Sequence, residues 1–140
     1  MVARLLGWLT RFPRWPSSEP PVPPRIEIDA AGFSLRHPDG RRTLVPWTSV
    51  WRVATFKYDN WAVDEIVLAF ETVEHPGVVM EVSEDWPGFG DLFGPLEQEL
   101  GISPDWYNEV MQPPLATNYR VIFERRGRLT ASATGLSLRQ

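Results

Sequence analysis

Apolar residues recur along this chain with two different periods, and the change of period divides it. In MVARLLGWLTRFPRWP, Val2, Leu5, Leu6, Leu9 and Phe12 fall at i, i+3, i+4, i+7 and i+10, the spacing of one helix face, and Pro13 ends the run. This predicts an amphipathic helix over residues 1–15. Residues 16–24, PSSEPPVPP, hold five prolines in nine positions and predict an extended, semi-rigid linker. From Arg25 onward the period drops to two. Ile26 and Ile28, Phe33 and Leu35, then residues 42–47 alternate apolar with polar positions, and His37-Pro38-Asp39-Gly40 marks a hairpin turn. Trp51, Val53 and Thr55 continue the pattern to a polar tip at Tyr58-Asp59-Asn60. Ile66, Leu68 and Phe70 follow, then Val78, Met80 and Val82 after the turn at His75-Pro76-Gly77. Connections this short force antiparallel neighbours, because a parallel crossover needs a dozen or more residues.

After Trp86-Pro87 the period lengthens again. Phe89, Leu92, Phe93, Leu96 and Leu100 predict a helix stopped by Gly101, with a kink or restart at Gly94-Pro95, because proline cannot donate the i to i−4 bond. Ser103-Pro104-Asp105 predicts a second helix over about 104–111, ended by Gln112-Pro113-Pro114. Tyr119, Val121 and Phe123 predict a seventh strand. The fold class is therefore α+β: an antiparallel, strongly bent sheet or open barrel of about seven short strands, with a late helical pair packed across it. Residues 25–127 form one globular domain and 128–140 a polar tail. Ile66, Leu68, Phe70, Phe89, Leu92, Phe93 and Leu96 are expected in one core cluster.

Composition excludes several classes. A chain of 140 residues can bury a core without staples, and with no cysteine it has no disulfide framework, zinc ribbon or thiol nucleophile. The net charge of −4 is segregated: residues 1–15 hold three arginines and no acid, residues 16–118 hold 6 basic and 17 acidic side chains, and residues 119–140 hold 5 basic and 1 acidic. An acidic body with a single lysine, Lys57, repels phosphates, so nucleic acid is not an expected partner.

The usual chemical motifs are missing. GFGDLFG, Gly88 to Gly94, follows a strand and opens a helix, but a dinucleotide fingerprint needs glycine where Phe93 stands. The glycines are expected to serve turns, and no cofactor is implied. His37 and His75 each precede proline at a turn, a poor place for a metal ligand or general base. A hydrolase needs a carboxylate pair at a defined separation, and no pair stands out among the many acids. No catalytic or metal-binding residue is assigned, and a non-enzymatic protein is expected.

Acids beside tryptophan are more informative. Asp59-Asn60-Trp61, Asp85-Trp86 and Asp105-Trp106-Tyr107 combine large, rigid contact surface with groups that meet arginine or lysine. Asp59, Trp61, Asp64, Glu84 and Asp85 are the candidate partner-binding residues. At least three of the seven tryptophans are expected in the core, with Trp61 the best placed for exposure.

The segments WRVATFKYDNWAVDEIVLAF, EVSEDWPGFGDLFGPLEQEL and DWYNEVMQPPLATNYRVIFER, within residues 51–125, resemble a group of small bacterial proteins of unassigned function. The resemblance implies a compact sheet roll and no catalytic residues. Some similar small acidic proteins neutralise bacterial toxins. Together these readings predict a cytoplasmic protein-interaction module that binds a basic partner, an immunity-type inhibitor being one version. The alternative is a membrane-surface adaptor anchored by Leu5, Leu6, Trp8, Leu9 and Phe12, peripheral because the run is too short to span a bilayer. For the helix itself, docking on its own domain or on a second copy in a homodimer is expected over membrane contact.

Overall fold

A computed structural model describes residues 21–60, 63–113 and 117–125. It is α+β. Strands β1 (Arg25–Ile28), β2 (Gly32–Arg36) and β3 (Arg42–Pro46) form one antiparallel sheet in the order β1-β2-β3. Strands β4 (Val50–Asn60), β5 (Val63–Thr72), β6 (Val79–Ser83) and β7 (Arg120–Glu124) form a second in the order β6-β5-β4-β7, so the last strand returns to the edge beside β4. The strands are thus divided between two sheets, which do not close into a barrel. A 3-10 turn at Trp47–Ser49 makes the break. Arg125 fastens it by donating to the Val50 carbonyl at 3.0 Å and the Trp47 carbonyl at 3.1 Å.

The hairpin β4-β5 is longer than the alternation implied. Pairing runs unbroken from Arg52 opposite Glu71 to Asn60 opposite Val63, so the polar residues 58–60 belong to the strand. Backbone bonding does not require apolar side chains, which is why periodicity ended this strand early.

The late helical section restarts at its glycine-proline step. A 3-10 turn (Phe89–Leu92) runs into helix α1 (Phe93–Leu100), where Pro95 lies in the first turn and owes no donor. Gly101 stops α1 in the left-handed region at φ 67°. Helix α2 (Trp106–Met111) begins two residues beyond Pro104, because Ser103 spends its hydroxyl accepting from the Asp105 N–H at 3.3 Å and holds a turn there.

Both sheets and both helices share one core. Ile26, Phe33, Leu35 and Val45 from the first sheet meet Val53, Ile66, Leu68, Phe70 and Val82 from the second, with Phe89, Leu92, Leu96, Trp106 and Val110 across them. Six of the seven residues expected in the core belong to it, and the seventh, Phe93, is half-buried and packs against it. Of the four tryptophans among the described residues, Trp47 and Trp106 are buried and Trp86 packs against the cluster. Trp51 is half-buried.

Gly88 joins the parts. Its φ is +91°, and a Cβ there would overlap the Ile26 carbonyl oxygen, while the Ile26 N–H donates to Pro87 at 2.8 Å. Gly88→Ala combines a strained backbone with loss of this approach and is expected to cost about 2 kcal/mol, read as a lower urea midpoint.

Candidate functional site

The lone lysine is the first side chain to locate, because it sits where a core residue belongs. Lys57 shares the inner face of β4 with Val53 and Thr55 and stands opposite Ile66. It is 3 % exposed. Its Nζ donates to Asp64 Oδ2 at 3.1 Å, to the Met111 carbonyl at 3.1 Å and to the Pro113 carbonyl at 2.9 Å. Three oxygens meet the three N–H bonds of an ammonium, so the group has no lone pair to offer as a nucleophile. The Met111 carbonyl is at the C-terminus of α2, where the helix dipole favours a cation. Lys57 N–H also donates to the Thr117 carbonyl at 2.8 Å. Asn118 Nδ2 reinforces the same segment, donating to Val110 at 3.1 Å and Gln112 at 2.6 Å. The result is a polar strut tying α2 to the β4-β5 hairpin.

A second strut sits at the end of β6. Glu84 Oε1 accepts from the Ile66 N–H at 2.8 Å and Oε2 from the Tyr107 hydroxyl at 2.9 Å, linking β5, β6 and α2. Glu65 accepts from the Ser83 hydroxyl, and Glu81 from the Tyr58 hydroxyl at 3.0 Å. Burial, followed by the hydrogen bond to Glu84 and its charge, holds the Tyr107 phenol above its ordinary value. A raised phenol stabilises the fold fully below its unfolded pKa, about 10, and this contribution is lost as pH rises through the folded value. Urea midpoints of the wild type should therefore fall more steeply above about pH 10 than those of Tyr107→Phe. Parallel profiles would contradict the Glu84 contact.

These contacts sort the candidate residues. Asp64 and Glu84 are half-buried and engaged inside the fold, whereas Asp85 is exposed. Asp59 stands opposite Asp64 in the strand register. Trp61 lies outside the described residues, as do Leu5, Leu6, Trp8, Leu9 and Phe12. The structural role of Lys57 was not read from the sequence, although a signal existed: a lone cation in phase with Val53 and Thr55 must find acceptors or leave the core.

What faces solvent is the late helical section. From Tyr58 to Tyr119 the chain has thirteen carboxylates and neither lysine nor arginine. Asp85, Asp91, Glu97, Glu99 and Asp105 are exposed. Beneath them, Phe89, Phe93, Trp106 and Tyr107 form an aromatic cluster, with Phe93 5.2 Å from Trp106 and 5.4 Å from Tyr107 between ring centres. Phe93, Tyr107 and neighbouring Trp86 keep part of their rings at the surface. On its outer side Arg120 of β7 meets Glu109 at 2.6 Å.

Other chemistry leaves little trace among the described residues. No group of three or more His, Asp or Glu is placed to hold a metal ion. His37 is half-buried, its Nε2 2.9 Å from the Thr43 hydroxyl, and His75 is exposed. No described helix is long and apolar enough to cross a membrane. Compared with protein-family models, curated proteins and solved structures, the chain matches none.

Proposed function

We propose that this protein is a non-enzymatic interaction module of the cytoplasm that binds a basic protein through residues 85–109, in the manner of an immunity-type inhibitor. The observation that carries the reading is the thirteen carboxylates with no lysine or arginine between Tyr58 and Tyr119, together with the exposure of Asp85, Asp91, Glu97, Glu99 and Asp105. A one-signed surface concentrates an oppositely charged partner and speeds encounter, while half-exposed aromatic rings supply the contact area that slows dissociation. The struts at Lys57 and Glu84 support this surface from behind, so their carboxylates position the helices and the outer ones meet the partner.

The experiment is a paired capture from bacterial lysate. Bait with Asp85→Asn, Asp91→Asn, Glu97→Gln and Glu99→Gln should lose the basic proteins that the wild-type bait retains, at unchanged thermal stability. Retention of the same proteins by both baits would refute the reading.

A further inference from the structure

The outer face of the second sheet is built as if it were an inner one. An antiparallel sheet with one wet face alternates apolar and polar residues, but β5 reads Ile66-Val67-Leu68-Ala69-Phe70, and every one of these is buried. On the face turned away from the core, Ala54, Phe56, Val67 and Ala69 are 3, 9, 2 and 7 % exposed and form their own cluster. The buried hydrophobic residues of both helices and of the first sheet belong to the other cluster. Small side chains opposite each other, Ala54 to Ala69, leave a shallow floor, and Phe56 with Val67 extends it. Tyr58, Tyr119, Val79 and Val121 rim it and are exposed. The charges on this face are Glu65, Glu71, Glu81 and Glu124 against Arg52, which is paired with Glu71 at 2.9 Å.

We propose that residues 1–15 of the same chain cover this floor, laying Val2, Leu5, Leu6, Leu9 and Phe12 across Ala54, Phe56, Val67 and Ala69. Three features select this occupant. Its apolar spacing is that of one helix face, and the run from Val2 to Phe12, about 16 Å long as a helix, fits within the length of β4 and β5 beneath, about 33 Å. Its three arginines without an acid are attracted to a face carrying a net three carboxylates. The nine-residue linker, about 28 Å in extended polyproline form, exceeds the ~10 Å spacing of packed sheets and the ~15 Å width of a four-stranded sheet taken together, so a helix tethered ahead of β1 in the first sheet has the reach to pass the sheet edge to the outer face. Tethering also gives the segment an effective concentration that a free partner or lipid surface must outcompete.

The absence of native cysteine makes a direct test available. In the full chain, Ala69→Cys is paired in turn with Leu5→Cys, Leu9→Cys and Gly7→Cys, and a parallel series uses Val67→Cys in case one floor position is poorly tolerated. Oxidation at low protein concentration should form a disulfide within the monomer for Leu5→Cys and Leu9→Cys about tenfold faster than for Gly7→Cys, which lies on the opposite side of the helix. Equal rates at the three positions, or a disulfide formed only between two chains, would overturn the proposal. Co-sedimentation of the wild type with phosphatidylglycerol vesicles would do the same, because it would show the apolar face free for lipid.

Discussion

Phe70→Ala is expected to lower stability by about 3 to 5 kcal/mol, among the largest effects of any single substitution here. Phe70 is 1 % exposed and lies on the inner face of β5, with its ring 4.8 Å from Phe33 of the first sheet, which in turn lies 5.5 Å from Trp47 at the break between the sheets. Truncation removes the ring that spans the two sheets, and the strands on either side are held by backbone ladders that limit collapse into the void. The lost transfer free energy and the residual cavity therefore add. Leu68→Ala, beside it and fully buried, should cost about 2 to 5 kcal/mol for the same reason. Urea titration checks both: the midpoint falls while the slope stays constant. Unchanged midpoints would mean that the inner face of β5 has been assigned wrongly.

Asp64→Ala is expected to cost about 3 kcal/mol, through a different mechanism. It leaves the Lys57 ammonium buried against two carbonyls with no countercharge, and a buried ion without its partner costs far more than the pair contributes. The side chain of Asp64 is 24 % exposed, so water entering at its position reduces the penalty below that of a fully enclosed pair. Lys57→Met keeps most of the side-chain volume and removes the charge. It should cost about 2 kcal/mol, because the Met111 and Pro113 carbonyls lose their donor. The double variant Lys57→Met, Asp64→Ala should be more stable than the sum of the single losses implies, and strictly additive losses would show that the two groups do not interact.

Much of the architecture was legible in the sequence because it rests on local rules. Alternation located all seven strands, and Gly101 and the Gly94-Pro95 step stopped and restarted α1 where backbone chemistry requires. The division into two sheets was not legible, because a three-residue 3-10 turn at Trp47–Ser49 carries no signal distinct from a bend. The candidate site was read less completely. Asp64 and Glu84 are indistinguishable in the sequence from solvated acids, since their roles depend on Lys57 and Tyr107, which approach from 7 and 23 residues away. The continuous run Ile66 to Phe70 carried information that alternation at Ile66, Leu68 and Phe70 concealed: the intervening Val67 and Ala69 mark a second buried face.

Under the proposed function, Asp64 and Glu84 act inside the fold and Asp85, Asp91, Glu97 and Glu99 act on a partner. The measurement that tests it most directly is the association rate with the basic protein the wild type captures, followed against salt concentration. For the wild type, association should slow steeply as salt rises; for the variant with Asp85→Asn, Asp91→Asn, Glu97→Gln and Glu99→Gln it should be about tenfold slower at low salt and nearly flat. Association at the same rate in both proteins, with the same dependence on salt, would contradict the account.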